Sequence, residues 1–186
     1  AQKRGTSGGI EIEDAHLWNL RAAYLYTFTV RIVDGDKVVD EYYEQIGLRT
    51  VSIDGRDFLL NGHPVYLKGF GRHEDSPIHG RGFDPVVARR DFELMKWMGC
   101  NSFRTSHYPY AEEELQEADR EGFLVIDEVA AVGFLVSTQN FDDATKTSVS
   151  KTLFDLPGIE KTLEVHKQAV RELIERDKNH ACVCAW

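Results

Sequence analysis

Between Tyr24 and Val33 apolar residues recur at every second position, at Tyr26, Phe28, Val30 and Ile32, with Leu25 beside them. Period two is the mark of a strand with one covered face. The turn residues Asp34-Gly35-Asp36 come next, and a second apolar run extends from Val38 to Leu48, so this segment predicts a hairpin. An isolated hairpin is marginal in water, which leads to the expectation that these strands close a β-sandwich whose other strands lie upstream.

Beyond Thr50 the pattern changes. A small hairpin from Val51 to Pro64, with turns at Asp54-Gly55 and Asn61-Gly62, leads into a strand from Val65 to Gly71. Asp84 caps a helix that has Pro85 at its first position; Val87, Leu94 and Met98, with Phe92 and Met95, supply its apolar face, and Gly99 ends it. A strand from Asn101 to Thr105 follows, then a helix over about 111–121 that opens with three glutamates, Glu112, Glu113 and Glu114. There they complement the helix dipole, and a solvated acidic face explains them. Gly122 closes that helix. Phe123-Leu124-Val125-Ile126 is a continuous apolar run, as expected of a parallel strand covered on both faces, and it stops at Asp127-Glu128. Residues 129–157 read as a long loop. A third helix over about 159–176 lines up Leu163, His166, Val170, Leu173 and Ile174, and a last β run covers residues 181–186. The alternation β-α-β-α-β-α-β with short connections predicts an α/β fold of parallel strands, either an open sheet or a (β/α)₈ TIM barrel.

Composition and charge narrow the partners. The 186 residues carry a formal net charge of -9, with no local run of Lys and Arg, which argues against nucleic acid or an anionic membrane. No apolar run nears the roughly 20 residues of a membrane span, and residues 1–9 lack the apolar core of a signal peptide. Cys100, Cys182 and Cys184 form neither an even disulfide set nor a C-x-x-C pair, and are read as buried thiols. That pattern leans towards a reducing compartment such as the cytoplasm, with secretion and the lysosome left open.

The chemistry gathers at strand ends. The first parallel strand runs into Arg72-His73-Glu74-Asp75, the second into Arg104-Thr105-Ser106-His107 and the third into Asp127-Glu128. In a barrel this is the face that carries active sites, so three clusters in register outweigh any one of them. Gly69-Phe70-Gly71 lacks the third glycine of a dinucleotide loop and meets Arg-His rather than a helix start, so no nucleotide cofactor is expected. His107, between Arg104 and the Tyr108-Pro109-Tyr110 turn, is the leading site candidate. His73, Glu74 and Asp75 read either as part of the site or as a solvated turn, and Asp127 and Glu128 either as substrate contacts or as partners of Arg104 or Arg72. His16, His63, His79, His166 and His180 read as surface or packing residues. No H-x-H or H-E-x-x-H spacing supports a metal, so none is expected.

At these residues the chain resembles glycoside hydrolase family 2. The resemblance is carried by Phe58-Leu59-Leu60-Asn61-Gly62, by Lys68 to Asp75, by Arg104 to Glu113 (RTSHYPYAEE), by Val125-Ile126-Asp127-Glu128 and by Arg176-Asp177-Lys178-Asn179-His180. The Tyr-Ala-Glu-Glu run is similar to members that act on β-D-glucuronides rather than to those that act on β-galactosides. The resemblance implies the last strands of an immunoglobulin-like β-sandwich over residues 1–52 and the first four strands of a TIM barrel over residues 53–186. It further implies a retaining hydrolase without a cofactor, working on a β-glucuronide or related glycoside as a homo-oligomer. His107, Arg104, His73 and Asp75 then line the sugar site, with Asp127, Glu128, Tyr108 and Trp186 supporting them from behind. In the family the acid/base Glu follows an Asn a few residues after the Trp that Trp186 matches, and the nucleophile comes from a later strand. On that basis the chain holds neither catalytic glutamate and is expected to be inactive alone. The resemblance leaves a β-galactosidase-like enzyme or a non-catalytic carbohydrate-binding chain as alternatives. Ala181-Cys182-Val183-Cys184-Ala185 departs from the family's Pro-initiated, Val/Met-rich strand.

Overall fold

The computed structural model describes residues 8–130 and 157–186. Most of the expected loop at 129–157, and most of the N-terminal stretch read for a signal peptide, lie outside these residues. Strands β1 (Tyr26–Asp34) and β2 (Lys37–Ile46) form the predicted hairpin, pairing antiparallel from Tyr26↔Ile46 to Asp34↔Lys37 with one irregularity at Ile32/Val33. A second antiparallel unit is built from β3 (Val51–Asp54), β4 (Asp57–Leu60) and β5 (His63–Pro64). Its last side chains turn inward: Leu60 is fully covered, and Val65 and Leu67 pack against the core.

The main sheet consists of β6 (Gly69–Arg72), β9 (Ser102–Thr105), β10 (Leu124–Ile126) and β11 (Val183–Ala185). Its strands lie in the order β11-β10-β9-β6 and every neighbouring pair is parallel. Neighbours in space are therefore neighbours in sequence among these four, the order of strands in a closing barrel and not that of a doubly wound sheet with its reversal point. Between β6 and β9 come a two-stranded ribbon, β7 (Asp75–Ser76) with β8 (Gly80–Arg81), and helix α1 (Pro85–Trp97). Helix α2 (Glu112–Glu121) links β9 to β10, and α3 (Glu160–Asp177) precedes β11.

Local chemistry sets these boundaries. The Asp84 carboxylate accepts from the amides of Val86 (2.8 Å) and Val87 (3.2 Å), the capping that the sequence predicts. Helix α2 has no cap from its own N-cap residue, Ala111, whose amide instead donates to Glu74 Oε1 at 3.0 Å, so the loop after β6 tethers the next helix. Gly122 ends α2 in the left-handed region (φ 70), and a Cβ there would lie 2.5 Å from the Arg21 amide nitrogen. Gly69 is fixed by contact: a Cβ on it would stand 1.9 Å from the Ser102 carbonyl oxygen, closer than parallel strands allow.

The core lies between sheet and helices. Phe92 stacks edge-on against Phe103 (5.8 Å) and Phe123 (5.3 Å), with Met95, Leu115, Leu124, Val125 and Val183 around them. The buried face of α1 is Ala88, Phe92 and Met95, which corrects the expected face in part: Leu94 and Met98 are exposed. They flank a cleft with Phe70 beside β6, at the sheet edge where no further strand pairs among the described residues. On α3 the expected stripe is likewise uneven, with Leu173 buried, Val170 and Ile174 half-buried and Leu163 exposed.

Candidate functional site

The C-terminal ends of β6, β9 and β10 bring the polar clusters together. Ladder pairing sets Gly71 opposite Arg104 and Ile126 opposite Arg104, so the residues just past each strand meet above the sheet. Arg104 Nη1 donates to Glu128 Oε1 at 2.5 Å, and the other carboxylate oxygen lies 3.7 Å from His107 Nδ1. The His107 ring stands edge-on to His73 at 5.5 Å, and His73 Nδ1 is 3.6 Å from Asp75 Oδ2. These groups stay wet: the Arg104, His107 and His73 side chains are 44%, 41% and 49% exposed. Gly71 leaves them space, since a Cβ there would meet Ser106 Oγ at 2.3 Å and Arg104 Nη2 at 3.2 Å.

A dry layer lies underneath. Thr105 Oγ1 donates to Asp127 Oδ1 (3.1 Å) and accepts from the Glu128 amide (2.7 Å), and both Thr105 and Asp127 are buried. Burial, with the nearby Asp177 carboxylate adding to it, pushes the Asp127 carboxyl up to about 7. Asp177 itself holds Arg176 through two contacts at 2.7 and 2.8 Å, and Arg176 also donates to the Tyr110 carbonyl at 3.0 Å.

Beside this layer Arg72 is buried over Phe103 (5.0 Å) and Phe92 (5.5 Å) while its guanidinium pairs with Glu114 and, at 2.7 Å, with Asp91. Burial alone would lower the Arg72 pKa, but Glu114 and Asp91 outweigh it and hold it above its ordinary value. Tyr108 braces the mouth: its hydroxyl accepts from the Glu74 amide at 3.0 Å and its ring lies 4.1 Å beneath the Arg81 guanidinium.

The structure thus assembles His73, Asp75, Arg104, His107, Tyr108 and Glu128. Trp186 lies just past β11, separated from β9 by β10, and is half exposed. Glu128 pairs with Arg104, whereas Asp127 pairs with Thr105 and Arg72 with neither. One expectation is corrected. Glu114 is not on a solvated acidic face but 2% exposed and clamped on Arg72. The signal was present, because Glu114 is one turn from Ala118 and next to Leu115, both on the buried side of α2. Thr105 carried no such signal, since a hydroxyl between two strand ends looks like any strand threonine.

Among the described residues one group has metal-ligand composition: Asp119, His180 and Cys182, all buried, with candidate ligand atoms within 4.8 Å of one another. Its atoms are already committed. Asp119 Oδ2 pairs with His180 Nδ1 at 2.6 Å, Oδ1 accepts from the Cys182 amide at 2.7 Å, and Cys182 Sγ donates to the Leu115 carbonyl at 3.5 Å. Burial raises the Cys182 thiol well above its ordinary range, so it stays protonated, and the trio acts as a strut between α2 and β11.

Half a parallel barrel, with charged and imidazole groups converging at its strand ends, defines a chain of the (β/α)₈-barrel class with its candidate site at the C-terminal face. The family model for the glycosyl hydrolases family 2 TIM barrel domain matches residues 51–186, and that for glycosyl hydrolases family 2 matches residues 1–49. The chain belongs to glycosyl hydrolase family 2, and its fold is the first half of a TIM barrel after the last strands of an immunoglobulin-like sandwich. It is 48% identical over its whole length to a β-glucuronidase of Paenibacillus borealis, covering 30% of that protein, and 40% identical to the β-glucuronidase of Mus musculus, covering 27%. Among solved structures it is similar to Ruminococcus gnavus β-glucuronidase, with 54% identity and a TM-score of 0.85 over 93% of this chain and 29% of that one. The same enzyme in complex with uronic isofagomine gives a TM-score of 0.86. The chain therefore spans about 30% of the length of the relatives it matches.

Proposed function

We propose that this chain forms one wall of the sugar site of a β-glucuronidase, a retaining exo-glycosidase acting on β-D-glucuronides. The division of labour proposed is that residues 1–52 complete a sandwich and residues 53–186 begin the catalytic barrel. The observation that carries the reading is the convergence of His73, Arg104, His107 and Glu128 at adjacent strand ends, in a chain 54% identical to an R. gnavus enzyme solved with a uronic sugar mimic.

The chemistry supports a binding wall rather than a complete centre. Retaining hydrolysis needs two carboxyl groups about 5 Å apart, one to protonate the glycosidic oxygen and one to attack the anomeric carbon. No Asn-Glu pair occurs in the chain, and the carboxylates at the mouth are engaged, Glu128 with Arg104 and Asp75 beside His73. Arg104 offers a fixed fork of donors for ring hydroxyls or carboxylate oxygens, and His107 adds a donor or acceptor whose Nδ1 faces Glu128. Asp75 and His73 form the adjoining rim.

The test is hydrolysis by a full-length protein containing these residues. It should cleave 4-nitrophenyl β-D-glucuronide well ahead of the β-D-galactoside, while the 186-residue chain alone should cleave neither. Preference for the galactoside overturns the substrate, and turnover by the isolated chain overturns its role as a wall.

A further inference from the structure

We propose that Thr105 is a positioning residue for the sugar site: its buried hydroxyl fixes Glu128, and through Glu128 sets where Arg104 and His107 stand. The inference rests on the glycosidase reading above and deepens it.

A threonine hydroxyl has one proton and two lone pairs. Thr105 donates its proton to Asp127 Oδ1 (3.1 Å) and accepts the Glu128 amide (2.7 Å), so its rotor is locked by two partners just past the end of the next strand. Glu128 needs such an anchor. The parallel ladder between β9 and β10 ends at Ile126↔Arg104, and the Asp127 amide goes across to the Ala185 carbonyl at 2.9 Å. Glu128 is therefore beyond the last rung, and the Thr105 oxygen is what receives its amide. From that fixed backbone the carboxylate divides, Oε1 to Arg104 at 2.5 Å and Oε2 3.7 Å from His107. One hydroxyl thus determines the placement of two candidate sugar contacts without touching the sugar.

The same geometry sets it apart from a packing threonine. Thr105 is completely buried and Asp127 is 1% exposed, so the two bonds are shielded from water, whereas the groups they orient are open to it. A fixed dry layer beneath a wet contact layer is how a site keeps its groups aimed. Valine would fill the same volume and lose only the hydroxyl. Serine would keep the hydroxyl and lose the methyl group.

The experiment uses the full-length protein. Thr105→Val should lower kcat/KM on the glucuronide by about 10- to 100-fold, the scale of a misplacement near 1 Å, while Thr105→Ser retains most of it. Against a Glu128→Ala background Thr105→Val should add almost nothing, because the group it positions is already gone. An equal loss in both backgrounds, or wild-type activity in Thr105→Val, overturns the proposal. If the wild-type protein cleaves no glucuronide, the functional reading falls, and positioning is judged by the crystal structure of full-length Thr105→Val. Loss of the Arg104–Glu128 contact there supports it, and an unchanged contact overturns it.

Discussion

The two ends of the half barrel are held by different kinds of bond. At the N-terminal ends of the strands the segment at residues 16–25 lies across the sheet with Trp18 wholly buried. Its indole donates to the Asp119 carbonyl at 2.8 Å, its amide donates to the Leu48 carbonyl at 2.8 Å, and its own carbonyl accepts from Asn61 Nδ2 at 2.9 Å. Arg49 Nε reaches the Ala181 carbonyl at 2.8 Å, and Gly47 lets Trp18 and Ala181 close over it. Nearly every partner is backbone, so the contacts fix chain segments. At the C-terminal ends the partners are side chains, Arg104 with Glu128 and His73 with Asp75 and His107, and all of them but Glu128 stay about half exposed. The floor buys order, whereas the mouth presents groups that a ligand can reach.

That contrast predicts where damage falls. The largest effect is expected at the floor: in the full-length protein Trp18→Ala should cost about 3–5 kcal/mol, the range for emptying a packed aromatic site. Urea unfolding measures it, and the fraction still folded should keep its KM. A loss under about 1 kcal/mol would mean that the floor is closed by something other than Trp18.

Between floor and mouth lies Asp127, whose effect depends on pH. Its folded pKa, about 7, is above the ordinary carboxyl value, so the folded state binds the proton more tightly than the unfolded state does. Its contribution is therefore fully present at low pH, falls as pH rises from about 4 through about 7, and is flat above. Asp127→Asn keeps the neutral form throughout. The stability of the variant relative to wild type should rise by about 2.5 kcal/mol between pH 5 and pH 8, as each pKa unit corresponds to about 1.4 kcal/mol. A constant difference across that range would show that the carboxyl is ionised throughout. His180 pulls the same way in a higher window: burial lowers its pKa, the Asp119 pair outweighs that, and the net rise means its contribution fades as pH climbs past the ordinary histidine value.

At the mouth the expected losses move from stability to turnover. His107→Ala should reduce kcat/KM about 10- to 30-fold, near 1.4–2 kcal/mol of lost binding, with a melting temperature close to wild type. A large drop in melting temperature with unchanged kinetics would reverse the roles given to the two ends.

The division between ends was partly written in the sequence. Period-two alternation at residues 26–32 and the continuous apolar run at 123–126 announced the hairpin and the buried parallel strand, and the polar residues after Arg72, Thr105 and Ile126 marked the mouth. What stayed hidden depends on contacts between residues far apart in the chain. Arg72 meets Glu114 on a later helix, so a glutamate in a first turn looked like dipole compensation when it is a buried counterion. Trp18 gave no periodic signal because it belongs to a segment held by bonds to Leu48, Asn61 and Asp119. The apolar faces of α1 and α3 were placed only in part, since periodicity gives a stripe and the neighbouring strand decides which edge of it is covered.

The smallest expected effect tests whether the mouth is braced as well as exposed. Arg81, on β8, lies 4.1 Å over the Tyr108 ring, and the Tyr108 hydroxyl receives the Glu74 amide at 3.0 Å. A cation–π contact at a wet site contributes about 0.5–1 kcal/mol. Arg81→Ala should therefore leave the global melt almost unchanged but loosen Tyr108, and the Glu74 amide should exchange with solvent about two- to fivefold faster, the factor that energy corresponds to. Arg81→Lys keeps a cation over the ring and should recover much of the protection. If the Glu74 amide exchanges at the wild-type rate in Arg81→Ala, Tyr108 is held by its other ring neighbours, His73 at 6.2 Å and Tyr110 at 5.1 Å, and the β7–β8 ribbon is a passenger on the mouth rather than its brace.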